Sequence, residues 1–168
     1  ASEIISRTSA LMKKGAPQME ERDLNEDVCQ ALQIIRSEIA SRHVSVDMQL
    51  SPDLPSVRGD HIQLQQVLLN LVINGCDAMR AVHADERRMT IETARDGDGF
   101  LRVSISDRGD GITPEVLERI FEPFYSTKDA GLGMGLAICQ AIVKAHGGRI
   151  WAANNPGRGA TFHFTLML

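Results

Sequence analysis

The chain has 168 residues, 43% hydrophobic and 24% charged, with a formal net charge of −4. That is enough for one domain with a real core, and the acidic balance argues against nucleic acid as a partner. No apolar run reaches the ~18 residues of a membrane span. No signal peptide precedes the first pattern, so no direct membrane contact is expected from this segment. Cys29, Cys76 and Cys139 are far apart, which suits reduced thiols used as small core residues in a cytoplasmic setting.

Residues 1–14 carry Ile4, Ile5, Thr8, Leu11 and Met12 along one side of a short helical stripe. Gly15, Ala16 and Pro17 end it. The stripe begins mid-pattern, as the tail of a longer helix in a larger protein would. Residues 18–22 read as a polar connector. Residues 24–40 predict a helix with Leu24, Val28, Ala31, Leu32, Ile35 and Ile39 on one face. Asp23 caps it, and Glu26 three residues on gives a capping-box spacing. Alternation over 44–50 predicts a half-buried strand, and Val57 marks a short second one.

Asp60 caps a long helix predicted over 61–80. Gln66, Asn70, Asn74 and Asp77 form a polar stripe in this otherwise largely apolar run. Asn is a poor helix former, so two of them at this spacing need a reason. Two alternating segments, 88–94 and 100–106, flank Asp96-Gly97-Asp98-Gly99 and predict a hairpin. Thr113 and Pro114 open a short helix. Residues 134–146 predict a further helix ended by Gly147 and Gly148. Strands follow at 149–153 and 159–168. Helices and strands do not alternate one for one. The expected fold is therefore α+β, a two-layer sandwich of mixed, mostly antiparallel sheet with helices on one face.

The chain is organised around residues 106–137. An acid and paired glycines come first, then a loop lysine, then a Gly-rich turn that opens a helix. Glycines let backbone approach a ligand, and helix-start N–H groups attract anions, so this reads as a nucleotide pocket. There is no Walker P-loop. Gly131, Gly133 and Gly135 have the wrong spacing for a dinucleotide fingerprint. The H-R-D and D-F-G elements of eukaryotic-type protein kinases are absent.

What remains is N-x-x-x-N at Asn70 and Asn74, and D-x-G-x-G at Asp107, Gly109 and Gly111. F-x-P-F follows at Phe121, Pro123 and Phe124, then G-x-G-x-G at Gly131, Gly133 and Gly135. In this order they resemble the N box, first glycine box, F box and second glycine box of the catalytic ATP-binding domain of two-component sensor histidine kinases. The resemblance covers about residues 23–168. It implies the Bergerat-type ATP-binding sandwich shared with type II topoisomerases, a heat-shock chaperone and mismatch-repair ATPases.

The resemblance also implies roles. Asp107 accepts from the adenine amine, with Gly109, Gly111 and Ile112 around the base and Thr161 as a second polar contact. Asn74 matches the magnesium ligand, since magnesium takes oxygen donors and keeps waters. Asn70 matches the position supporting the phosphates or a metal-bound water. It cannot act as a base, which suits phosphate transfer to a protein better than hydrolysis. Asp77, where Lys is frequent, and Ala78 fall among the nucleotide contacts. Lys128 on the ATP lid stabilises γ-phosphate charge. Gly131, Gly133, Met134, Gly135 and Leu136 present the phosphate-binding helix start. Arg108 replaces the more usual Asn.

His43, His61, His83, His146 and His163 all lack the setting of a phospho-acceptor and read as surface or helix-end residues. Residues 1–18 then resemble the end of a dimerisation helix and its linker, and residues 19–168 the catalytic domain. The acceptor histidine would lie upstream, on a dimerisation hairpin, with a response regulator downstream. The isolated domain is expected to be monomeric. An anti-sigma-type serine kinase of the same fold and a non-catalytic nucleotide-binding module are the alternative functions.

Overall fold

A computed structural model describes residues 16–127 and 133–168. The stripe at 1–14, Lys128 and Gly131 lie outside the described residues. Strand β1 (Met19–Arg22) leads into α1 (Leu24–Ile34) and α2 (Arg36–Ser41). Strands β2 (Ser45–Leu50) and β3 (Val57–Asp60) precede the long helix α3 (His61–Ala78). After a 3-10 turn at Ala84–Glu86 come β4 (Arg88–Asp96), β5 (Phe100–Ser106) and α4 (Pro114–Arg119). Helix α5 (Gly135–Ala145), β6 (Ile150–Asn154) and β7 (Ala160–Met167) complete the order.

The main sheet runs β2-β4-β5-β7-β6. Only β2 and β4 pair in parallel. Period-two alternation turns Met89, Ile91, Leu101, Val103, Ile105, Phe162, Phe164 and Leu166 into the core. The alternate residues, including Glu92, Arg102, Thr161 and His163, form an open, polar face. Helix α3 lies on the core face, between α1 and α5, and buries Leu64, Val67, Leu68, Leu71 and Val72. This is the expected α+β sandwich, a mixed, mostly antiparallel sheet with helices on one face.

Two local expectations are corrected. Residues 18–22 are no connector: β1 pairs antiparallel with β3, Met19 opposite Asp60 and Arg22 opposite Val57. The long-range ladder satisfies backbone that a polar sequence leaves unassigned. The helix predicted over 24–40 breaks at Ile35, whose φ of −106° and ψ of 16° are not helical. Ile34 and Ile35 are both β-branched, which weakens the helix there, and Ile35 turns into the core.

The first strand is tied down by charge. Arg22 Nη2 lies 2.5 Å from Oδ1 of the fully buried Asp27, and His61 Nδ1 lies 3.1 Å from the same oxygen. Next to this cluster, Asp60 Oδ1 accepts from Gln63 N at 2.9 Å and so caps α3. Its Oδ2 accepts from Gln18 N at 2.7 Å. Its own N–H donates to His146 Nε2 at 3.0 Å, and the other ring nitrogen of His146 lies 2.8 Å from Ile142 O. The buried imidazole is thereby used at both ends, which requires the neutral Nδ1–H form.

Asp60→Ala should lower the unfolding free energy by about 1–2 kcal/mol in urea titrations, through loss of the cap and of the Gln18 bond. Asp60→Asn, which keeps a capping oxygen, should lose less than half of that.

Candidate nucleotide site

The site forms where the sheet ends against α3. Asp107 follows β5 and is 4% exposed. Its N–H donates to Ala160 O at 2.9 Å, so the ladder to β7 continues through it. Oδ1 accepts from Gly109 N at 2.8 Å and Ala160 N at 3.3 Å. Both backbone donors fall on one oxygen, which leaves Oδ2 to accept from a ligand. Burial raises the carboxyl pKa above its ordinary value, and the Gly109 and Ala160 N–H groups offset only part of that rise.

Two glycines bring this carboxylate and α3 together. A methyl at Gly75 would stand 2.6 Å from Met89 Cε, so the end of that side chain would have to move, and 3.7 Å from Asp107 Cβ, in ordinary contact. A methyl at Gly109 would stand 2.4 Å from Ala78 O. The turn after Asp107 thus rests on the end of α3, and Asp107, Gly109 and Ala78 adjoin one another. Asn154 fixes the next stretch. Its amide accepts from Ile112 N and donates to Ile112 O, both at 2.7 Å, just past Gly111.

The polar stripe of α3 is largely covered. Gln66 is buried, and its Nε2 has no partner among the described residues. Asn70 is half-buried and donates from Nδ2 to Cys139 Sγ on α5 at 3.6 Å. Asn74, one turn on, is also half-buried. Asp77 forms ion pairs with Arg42 and, at 3.3 Å, with Arg80. An acid at this place therefore has a structural use: it joins the end of α2 to α3.

No three His, Cys, Asp or Glu side chains among the described residues are grouped to hold a metal. The amide oxygens of Asn70 and Asn74 are hard, neutral donors on one helix face. They fit a magnesium ion that arrives with its own phosphate ligands and waters.

Across the cleft, Phe124 N donates to Gly133 O at 3.0 Å and fixes where the chain enters α5. Phe124 itself is 79% exposed. Helix α5 starts at Gly135, one residue later than the sequence suggests, with Met134 as its cap residue and no side-chain cap. Its first N–H groups are therefore not taken by a capping side chain, which suits an anion. Leu136 packs against the core.

Thr161 is the residue that the structure does not bring to this pocket. Ala160 and Phe162 point into the core, so by strand parity Thr161 points to the open face. Its hydroxyl donates to the Asn155 amide oxygen and lies 2.9 Å from Ser106 Oγ. Asp107 lies on the opposite, helix-facing side. The Asn-Asn pair at the end of β6 does more than close the strand. Asn155 Nδ2 lies 3.0 Å from Asp107 O and 3.1 Å from Arg158 O, bracing the turn behind the carboxylate. Its sequence signal was two adjacent amides before Pro156 and Gly157.

His146 sits at the end of α5, as the sequence suggests, and is buried there. His163 is half-buried on the open face, with Nδ1 2.7 Å from Ser104 Oγ and the ring stacked 5.0 Å from Trp151. Burial, then the charge of Arg102, lowers its pKa.

Comparison with known proteins identifies the family and the fold. Residues 59–168 match the family model described as histidine kinase-, DNA gyrase B-, and HSP90-like ATPase. The chain is 40% identical over 165 residues to sensor histidine kinase ZraS of Klebsiella oxytoca, covering 97% of this chain and 34% of that protein. It is 34% identical over 166 residues to sensor protein FixL of Bradyrhizobium diazoefficiens, covering 99% and 32%. It thus spans about a third of the length of the curated relatives it matches. The solved catalytic domain of histidine kinase ThkA superposes with a TM-score of 0.78 at 30% identity, over 89% of this chain and 95% of that one. ThkA in complex with response regulator protein TrrA gives a TM-score of 0.78 at 26% identity, over 99% and 48%.

Asp107 sets a pH signature. Its folded pKa is raised, so the folded state holds the proton more tightly than the unfolded chain, and ionising it on raising the pH costs stability. Asp107→Asn should therefore stabilise the unliganded domain at neutral pH. The gain should shrink as pH falls through the raised folded value and vanish below the ordinary carboxylate range. Thermal melts across this range check it, and a gain independent of pH would refute it.

Proposed function

Because the chain belongs to the histidine kinase-, DNA gyrase B-, and HSP90-like ATPase family and has the fold of a histidine kinase catalytic domain, we propose that it binds Mg·ATP and transfers the γ-phosphate to a histidine on a dimerisation hairpin. The observation that carries this reading is the Asp107 carboxylate, buried and held by backbone through Oδ1 alone. A buried carboxylate oxygen calls for a donor. The exocyclic amine of adenine supplies one, whereas guanine would set a carbonyl against it. Gly109, Gly111, Ile112 and Ala78 surround the base. Asn74 holds magnesium, Asn70 supports the metal–phosphate end, and the helix start at Gly133, Met134, Gly135 and Leu136 receives the phosphates. By motif position, Gly131 and Lys128, outside the described residues, would serve the phosphates as well.

In the transfer, the bond from the γ-phosphorus to the β,γ-bridging oxygen breaks and a phosphorus–nitrogen bond forms on the acceptor imidazole. ADP leaves with the bridging oxygen, and the imidazole proton passes to solvent. Such a reaction depends on positioning and charge stabilisation more than on a strong base. Asn70 supplies no base for water, so the domain favours a placed acceptor over hydrolysis.

The acceptor belongs to another segment. His146 has both ring nitrogens engaged, His61 sits against Asp27 and His163 against Ser104. Residues 1–18 would connect the catalytic part, 19–168, to the hairpin. A response regulator would take the phosphate onward, in keeping with the ThkA complex. No helix among the described residues is long and apolar enough to cross a membrane. The domain would act as a monomeric unit on the cytoplasmic side, where ATP is abundant.

Asp107→Ala should weaken ATP binding by about 1.5–3 kcal/mol, roughly 10- to 100-fold, in calorimetry. Unchanged affinity would remove the adenine assignment. Incubated alone with γ-labelled ATP, the chain should not label itself. With a separate dimerisation hairpin bearing the acceptor histidine, it should transfer base-stable, acid-labile label to that hairpin. Label retained on this chain would show an acceptor among its own histidines.

A further inference from the structure

The proposed magnesium and phosphate end of the site contains a contact that has no part in the reading above. Asn70 Nδ2 donates to the Cys139 thiol sulfur at 3.6 Å, across the interface of α3 and α5. We propose that Cys139 is a positioning residue for Asn70, engaging the amide nitrogen so that the amide oxygen faces the metal–phosphate side. The inference rests on the Mg·ATP reading and narrows it. An asparagine side chain has one donor end and one acceptor end. With one of its two Nδ2 protons held by sulfur, the amide is fixed with its oxygen free to accept, toward magnesium or a metal-bound water.

The surroundings support this role. Sulfur is a weak acceptor, but Cys139 is fully buried, so water does not compete for the amide there. Cys139 lies in the second turn of α5, the helix whose start is proposed to receive the phosphates. The helix that meets the phosphates therefore also orients the amide facing them. Cys29, in contrast, is exposed.

The test is ATP binding by calorimetry, with magnesium and with a chelator, for wild type, Cys139→Ala, Cys139→Ser and Asn70→Ala. Cys139→Ala should reduce the magnesium-dependent gain in affinity by about three- to tenfold, the scale of one hydrogen bond, and leave metal-free affinity unchanged. Cys139→Ser, which restores an acceptor, should recover most of the gain. Equal losses with and without magnesium, or a serine variant no better than alanine, would mean that Cys139 only packs, and the inference falls. If Asn70→Ala loses the gain while Cys139→Ala keeps it, the Asn70 assignment stands and the inference alone fails. If Asn70→Ala keeps it, both fail. Should Cys139→Ala not fold, the Asn70 side-chain amide in wild type decides by NMR. One Nδ2 proton protected from exchange supports the inference, and two equally unprotected protons overturn it.

Discussion

Three parts of the fold converge on Asp60. Its side chain caps α3 and holds Gln18 at the head of β1, while its N–H reaches His146 at the end of α5. Helices α3 and α5, which carry Asn70, Asn74 and the proposed phosphate-binding helix start, pack against each other, and one buried residue ties the far end of each to the other. The two-stranded β1–β3 ladder keeps that residue in place. The main sheet could bury its apolar face under many helix arrangements, but this junction selects one.

The site itself works against stability in a controlled way. Asp107 is an ionisable group placed where ionisation is costly, and the Gly109 and Ala160 N–H groups return only part of the cost. Elsewhere the acids are met on both sides: buried Asp27 pairs with Arg22 and His61, half-buried Asp77 with Arg42 and Arg80, and buried Asp60 accepts a backbone N–H on each oxygen. That difference marks Asp107, rather than the others, as the proposed binding group. A side chain kept short of partners within a well-satisfied fold is poised for something from outside.

Much of this was legible in the sequence where the physics is local. The caps at Asp23, Asp60 and Thr113 accept from the residues three positions on, as spacing alone suggests. The capping box at Asp23 was only half legible, because Glu26 accepts from Gln30 Nε2 instead. The 96–100 hairpin closes with Asp96 opposite Phe100. What failed was non-local. Strand β1 has no apolar alternation because its partner, β3, is far along the chain, and only the pairing makes it a strand. Thr161 is the instructive miss, since motif position placed it at the base while strand parity between Ala160 and Phe162 already turned it away. The bracing by Asn154 and Asn155 depends on where the two chain turns meet in space, which no single segment encodes.

The parallel pairing of β2 with β4 also orders the assembly of the molecule in time. Ser45 meets Arg88 only after β3 and the whole of α3 have crossed between them. The β4–β5 hairpin and the β6–β7 pair need only short loops to close, so they form on the microsecond scale of local events. The β2 ladder must wait for a long loop to close and for α3 to settle on the sheet, and it forms at an edge. Until then the apolar underside of β4, Met89 and Ile91 among it, is uncovered. Sequence separation therefore predicts that the β2 ladder and the docking of α3, which carries both asparagines of the stripe, come last.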